Sequence, residues 1–322
     1  MNQKIAILDL GSNSIRTTIT EYDSNGEFQV LARRQEMVRI SQGMGQKQLL
    51  RPEAINRTLG VLAQFKAEYA KYQPLKIIAV ATAAVRQARN QAVFLTQFEE
   101  LMGFPLRVIT GIEEAEYDYY GVISTLAPEN GLILDTGGAS TEIVLVKNAQ
   151  MKERISLPFG AVNITENYLQ GDPPTAASVF KACASLANTL NNLSWLKSAK
   201  NFPIIAIGGS NRTLAKIRKN ELNQTELPIH GFHLNREVAD DIIYQLLSKN
   251  ESERQNIKGL AKDRSGIIIG GLIPLRLIMQ IIDCEQIIFS QSGVREGILF
   301  QEIKNQTQNE IHTFDPEKLT LE

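Results

Sequence analysis

Residues 134–144 read LDTGGASTEIV. An apolar, strand-like run ends in Asp135, small residues follow, and Glu142 stands seven positions after Asp135. A glycine- and serine-rich turn points backbone N–H groups outward, and without bulky side chains an anion comes near enough to accept several of them. Carboxylates beside such a loop repel phosphate unless a cation intervenes. A hard divalent ion, Mg²⁺ by preference, reconciles the two, because it binds one or two carboxylates together with phosphate oxygens and water. The stretch therefore reads as a phosphate loop, Gly137, Gly138, Ala139 and Ser140, with Asp135 and Glu142 holding the metal.

The same shape occurs earlier as ILDLGSNSIRT, residues 7–17. Asp9, Gly11 and Ser14 recur as Asp135, Gly137 and Ser140, each at an interval of 126 residues. The first copy predicts a second phosphate loop, Gly11, Ser12, Asn13 and Ser14, and puts Asp9 with the metal acids. The flanks repeat as well. Residues 4–10, 15–22 and 27–38 read as strands, with Asp23-Ser24-Asn25-Gly26 as a turn. Residues 132–135, 141–146 and 151–157 read the same way. After the first meander, Ile55, Leu59, Leu62, Phe65 and Tyr69 fall at helical spacing. A strand over 76–81, a helix over 90–102, a strand over 107–110 and a helix over 111–123 follow. The second half continues with a helix over 175–195 and a strand, glycine turn and helix over 203–217. The apolar run 267–282 reads as a buried strand end and helix, and the polar tail after Gln301 as a short helix and loose terminus. The expected fold is α/β, two duplicated lobes, 1–125 and 126–322, with a cleft between them and a final helix able to pack back on the first lobe. Such a cleft is a natural clamp for a small or linear ligand.

Composition narrows the function. The chain has 322 residues, 43% hydrophobic and 21% charged, with net charge −1. That suits a globular protein with a sizeable core and gives no global basic field for nucleic acid or an anionic membrane. Cys183 and Cys284 lie in apolar contexts and read as small buried residues. The N-terminus has no signal-peptide pattern, and the run 267–282 is too short and too interrupted by Gly270, Gly271, Pro274 and Arg276 for a membrane span. A cytoplasmic protein is expected. His230, His233 and His312 show no ligand spacing.

Two further stretches carry candidate chemistry. ATAAVRQARN, residues 81–90, puts Arg86 at a strand-to-helix turn, where a guanidinium can fork onto phosphate oxygens; Arg89 reads as a solvated surface arginine. TGIEEAEYDYYGV, residues 110–122, opens a helix with Glu113, Glu114, Glu116 and Asp118. Acids favour a first helical turn for electrostatic reasons alone. One of them is also placed to act as a general base on water, and spacing does not select which.

Together these motifs resemble the exopolyphosphatase/guanosine pentaphosphate phosphatase (Ppx/GppA) family. The ordered likeness runs through AILDLGSNS, ATAAVRQARN, GIEEA, LILDTGGASTEIV, SLPFGAVNITENY, IIAIGGSNRTLA and SGVREGILF, from about residue 4 to 300. The resemblance implies lobes of the actin-like ATPase, ribonuclease H-like kind and Mg²⁺-assisted attack of water on a terminal phosphoanhydride. Inorganic polyphosphate is the first expected substrate; pppGpp, or a catalytically weak polyphosphate or alarmone sensor, is the alternative. It implies Glu114 as catalytic base, Arg86 as a phosphate-binding arginine, Asp135 and Glu142 at the metal and phosphate, and Ser12-Asn13-Ser14 and Gly137-Gly138 as phosphate loops. Arg295-Glu296-Gly297 matches a family signature with no assigned chemistry. Two departures stand out: Ala139 replaces a usual third glycine, and Arg264-Ser265-Gly266 lacks the acid of a usual Arg-Ala-Asp. The chain resembles the short, two-lobe members, and a homodimer would lengthen a polymer path.

Overall fold

In β1 (Gln3–Leu10), Ala6, Leu8 and Leu10 face one side and Ile5 and Ile7 the other, all buried, so the strand needs cover on both faces. β2 (Ser14–Tyr22) and β3 (Phe28–Met37) continue it as an antiparallel meander. The turn between them is set by Asp23, whose Oδ1 accepts from the N–H groups of Asn25 and Glu27 at 2.9 and 3.0 Å. α1 (Pro52–Tyr69), with proline at its start, crosses to β4 (Lys76–Ala81), which lies parallel to β1. α2 (Ala83–Gln87), α3 (Gln91–Met102), β5 (Arg107–Val108) and α4 (Gly111–Ile123) follow. The sheet order is β3-β2-β1-β4-β5. One face packs Leu8 and Leu10 against Leu62, Phe65, Phe94 and Phe98.

The second half repeats the plan. β6 (Gly131–Thr136), β7 (Thr141–Lys147) and β8 (Gln150–Leu157) form the meander. α5 (Ala161–Tyr168) and α6 (Ala176–Asn191) lead to β9 (Ile204–Ile207), parallel to β6. α7 (Gly209–Glu221), β10 (His233–Asn235), α8 (Arg236–Leu247), α9 (Glu251–Arg254), α10 (Ile268–Ile281) and β11 (Gln286–Phe289) complete it. The order is β10-β11-β9-β6-β7-β8, so β6, β7, β8, β9 and β11 take the places of β1, β2, β3, β4 and β5, and β10 adds an antiparallel edge. The two duplicated α/β lobes expected from the motifs, of the actin-like class that the resemblance implies, are the fold observed.

The computed structural model describes residues 2–45 and 47–307. It divides into two compact units: one is the chain up to Thr125 together with the segment from Val294 on, the other Leu126–Gly293. α11 (Val294–Thr307), the final helix for which packing back on the first lobe is the alternative to its place in chain order, belongs to the first unit. Its Ile298, Leu299, Phe300 and Ile303 cover the face of the first sheet that carries Ile5 and Ile7. That burial outweighs chain order. The loose terminus expected after it lies outside the described residues.

Two local expectations change. The run 267–282 has no strand end: Ile268–Ile281 is one helix with Pro274 inside it. It is apolar nearly all round because it is buried nearly all round, so its period is hidden in the sequence. Arg107–Val108 is shorter than the strand expected over 107–110, since Thr110 leaves it to cap α4. Among the described residues no helix is long and apolar enough to cross a membrane.

Candidate active site

The duplicated hairpins agree at the level of single bonds. In the first, Gly11 N–H donates to Ser14 C=O at 3.0 Å; in the second, Gly137 N–H donates to Ser140 C=O, also at 3.0 Å. Asp9 pairs with Arg16 across β1 and β2, and Asp135 with Glu142 across β6 and β7, so the interval of 126 holds for the register too. What turns the loops outward is the anchoring of their carbonyls. Ser12 C=O accepts from the Ser41 backbone at 3.1 Å, and Asn13 C=O from the Arg39 backbone at 2.8 Å. Gly137 C=O accepts from Ala161 N–H at 2.9 Å and Gly138 C=O from Val162 N–H at 2.8 Å, so the second loop caps the start of α5. Asn163 adds its side chain, donating from Nδ2 to Ala139 C=O at 3.2 Å. With carbonyls pinned inward, the peptide planes of both loops aim N–H groups away from the support, the arrangement an oxyanion takes.

Ala139 fits here. Its φ is not positive, so the backbone makes no demand that only glycine meets, and its methyl is buried. The demand falls on Gly160, which sequence reasoning passed over. A β-carbon at 160 would stand 2.7 Å from Gly137 oxygen and Gly138 carbon and 2.8 Å from Ala139 nitrogen. Gly160→Ala should therefore push the loop off its support, costing about 1–3 kcal/mol of stability and weakening binding of inorganic pyrophosphate. Denaturant melts and calorimetry check both; unchanged values would show that the loop adapts freely. Gly208, with φ +91°, plays a similar part on the other side, where a β-carbon would lie 2.6 Å from Asp135 Oδ1.

Asp135 and Glu142 are register partners on adjacent antiparallel strands, so both carboxylates leave the same face of the sheet. Glu142 is 1% exposed and accepts from Ser156 Oγ at 2.7 Å. Like charges directly opposite are unfavourable on a sheet, and the donor set, two hard anionic oxygens side by side, suits Mg²⁺ completed by water and phosphate oxygens. Among the described residues no group of three or more acids, histidines or cysteines gathers to hold a metal without such added ligands.

Asp9 differs. Its register partner is Arg16 where Asp135 has Glu142, so a cation is built in at the matching place. Burial pushes the Asp9 carboxyl above its ordinary value, and the charges of Arg16 and Arg295 only partly oppose this. Within its own unit Asp9 thus faces an arginine, whereas Asp135 faces a second carboxylate. A carboxyl raised on folding gives stability that is full below the unfolded value and lost as pH rises through the folded one. Asp9→Asn should accordingly raise the thermal midpoint at pH 7, with the gain shrinking toward the ordinary value of 3.8. Melts across that range test it; a gain that does not change with pH would contradict it.

The first unit also separates Glu113 from Glu114 on α4. Thr110 caps the helix in a reciprocal box: Glu113 N–H donates to Thr110 Oγ1 at 3.1 Å, and Thr110 N–H to Glu113 Oε2 at 2.7 Å. Glu113 also pairs with Arg107, and its carboxyl lies below the ordinary value, chiefly through the Thr110 backbone bond. Glu113 is therefore a capping residue. Glu114 turns inward instead, its side chain 10% exposed. Arg86 Nη1, on the short helix after β4, donates to Glu114 Oε2 at 2.9 Å and to Ile109 C=O at 2.9 Å. The structure so brings together the two first-unit residues singled out from separate motifs, 28 positions apart. Arg89 is exposed, as expected.

Comparison with known proteins agrees with this architecture. Residues 18–306 match the model of the Ppx/GppA phosphatase family. The chain belongs to that family. It is 30% identical over 313 residues to a bifunctional 3-dehydroquinate synthase/phosphatase of Fusobacterium nucleatum, covering 93% of this chain and 46% of the relative. It is 27% identical over 306 residues to a candidate exopolyphosphatase of Haemophilus influenzae, covering 94% and 92%. To a guanosine-5'-triphosphate,3'-diphosphate pyrophosphatase of Pseudoalteromonas translucida it is 28% identical over 318 residues, covering 98% and 62%. The chain thus spans about half of the first of these and under two thirds of the third. Among solved structures, the Ppx/GppA family member of Aquifex aeolicus matches with TM-score 0.78 at 28% identity, over 96% of this chain and all of that one. An exopolyphosphatase from Cytophaga hutchinsonii shares the fold with TM-score 0.86 at 21% identity, over 96% of this chain and all of that one.

Proposed function

We propose that the chain is a phosphoanhydride hydrolase that releases orthophosphate from the end of inorganic polyphosphate. The observation that carries this reading is the Arg86–Glu114 pair, a carboxylate released from capping duty by Glu113 and held on a guanidinium beside the first phosphate loop's own sheet. Glu114 takes a proton from water as the water oxygen attacks the terminal phosphorus. The P–O bond to the bridging oxygen breaks, that oxygen stays with the shortened chain, and Glu114 returns its proton to solvent. Arg86 holds Glu114 aimed through its hydrogen bond, and shares its donors with the oxygens of the reacting phosphoryl group. The loops at Gly11–Ser14 and Gly137–Ser140 bind phosphate oxygens through backbone N–H groups. Asp135 and Glu142 would hold Mg²⁺, which would supply positive charge against the phosphoanhydride oxygens.

A second reading keeps this chemistry and makes pppGpp the substrate. It is favoured by the likeness, over 98% of the chain, to the guanosine-5'-triphosphate,3'-diphosphate pyrophosphatase. Phosphate release with Mg²⁺ from long-chain polyphosphate and from pppGpp, offered separately, decides between them. Faster release from polyphosphate is expected; release from pppGpp alone would move the protein to alarmone turnover. Binding of both without release would make it a sensor.

A further inference from the structure

α11 opens Val294-Arg295-Glu296-Gly297, the signature to which the mechanism assigns no part. Gly297 lies directly on α4. A β-carbon at 297 would stand 2.7 Å from the Tyr117 carbonyl carbon and 2.9 Å from its Cα, and nearer still to its oxygen. All three are backbone atoms, so no side-chain rotation relieves them. Ordinary contact for a β-carbon begins at 3.4 Å. Tyr117 is three residues after Glu114 on the same helix, so the atoms Gly297 touches belong to the turn that presents Glu114.

The first turn of α11 is tied down on its other side. Glu296 is buried and lies 3.8 Å from the Arg33 guanidinium, on β3, and 3.7 Å from that of Arg295. Further along, Ile298, Leu299 and Phe300 fill the core against Ile5 and Ile7. α11 is thus fixed to the sheet by charge and by apolar burial, and any bulk added at 297 is taken up by α4. A shift on the order of 1 Å at a catalytic group costs about 100-fold in rate, and the 2.9 Å bond of Arg86 to Glu114 has little slack.

We propose that Gly297 is a positioning residue for Glu114: its missing side chain sets the distance between α11 and α4, and so the place of the catalytic carboxylate. The inference rests on the reading of Glu114 as general base. The test is phosphate release from polyphosphate with Mg²⁺ by Gly297→Ala, with kcat, KM and thermal midpoint measured together. The expected result is a fall in kcat of about 10- to 100-fold with KM within about threefold of the parent. Gly60→Ala, at a helical position with nothing near the added carbon, should keep the parent's kcat. Should Gly297→Ala not fold, Ile298→Val and Ile303→Val decide. Both residues sit in the same buried cluster, one beside Gly297 and one farther along α11. A lower kcat for Ile298→Val at matched stability supports the proposal, and equal kcat values overturn it. A folded Gly297→Ala with unchanged kcat also overturns it. If Glu114→Gln itself keeps full activity, the failure lies in the reading of Glu114; if Glu114→Gln is inactive and Gly297→Ala is not, it lies here alone.

Discussion

Glu114→Gln should lower turnover by about 10²–10⁴-fold, the range that a positioned general base contributes. The substitution keeps shape and one oxygen, so the amide carbonyl can still accept from Arg86 Nη1 at the distance the carboxylate does, 2.9 Å. What it loses is the capacity to take a proton and the charge that holds the guanidinium. The effect should therefore fall on kcat, with KM nearly unchanged, because in the proposed mechanism the carboxylate acts on water and not on bound phosphate. Stability should fall modestly, by about 1–3 kcal/mol, as an ion pair becomes a hydrogen bond from the charged guanidinium to a neutral amide oxygen. Glu113→Gln is the informative contrast. Its carboxylate caps α4 and pairs with Arg107, so its loss should weaken the helix start and leave chemistry nearly intact. Steady-state kinetics on the two variants read the difference; equal losses of kcat would show that the capping assignment of Glu113 is incomplete.

Asp135→Asn carries the second large effect, and its sign depends on the metal. With Mg²⁺ present, one of two hard anionic donors is gone, and the apparent metal affinity should fall by at least the roughly 10- to 100-fold that lesser changes around metal ligands produce. Activity at limiting Mg²⁺ should fall with it. Without metal the expectation reverses. Asp135 and Glu142 are register partners on one sheet face, and removing one of two like charges there should stabilise the fold by about 0.2–1 kcal/mol. The parent should accordingly gain thermal stability on adding Mg²⁺ and the variant should not, since a ligand stabilises a fold in proportion to its occupancy. Melts with and without Mg²⁺ separate the cases. A parent that gains nothing from Mg²⁺, or a variant that gains as much, would remove Asp135 from the metal site.

Much of the fold is legible because the duplication is written twice. Asp9-x-Gly-x-x-Ser and Asp135-x-Gly-x-x-Ser, each with a strand before and a meander after, point to the two sheets, and the pairing register repeats the same interval. The run 267–282 misleads because a helix buried on all sides has no apolar stripe to betray its period. That the final helix is able to pack back on the first lobe is legible, but the residues it covers are not: its apolar side chains match a face of the sheet built at the other end of the chain. In the site, residue types with charge or a special turn stand out in the sequence, and residues chosen for lacking a side chain do not. Gly160, Gly208 and Gly297 matter through the atoms that approach them, and those atoms come from distant positions. Arg16 carries a signal that the motif comparison passed over, since it stands at the same interval from Glu142 as Asp9 does from Asp135. Choosing Glu114 over Glu113 needs the cap: Thr110 three residues before Glu113 is a sequence signal, but which acid turns inward follows from helix geometry.

In the proposed reaction, water activated by Glu114 attacks the terminal phosphorus. The most direct measurement is hydrolysis in ¹⁸O-labelled water with Mg²⁺, with mass analysis of the orthophosphate and of the shortened substrate. One solvent oxygen is expected in each orthophosphate, none in the remaining chain, and loss of the labelled product in Glu114→Gln. Label in the shortened chain, or labelled orthophosphate formed as fast by Glu114→Gln as by the parent, would contradict it.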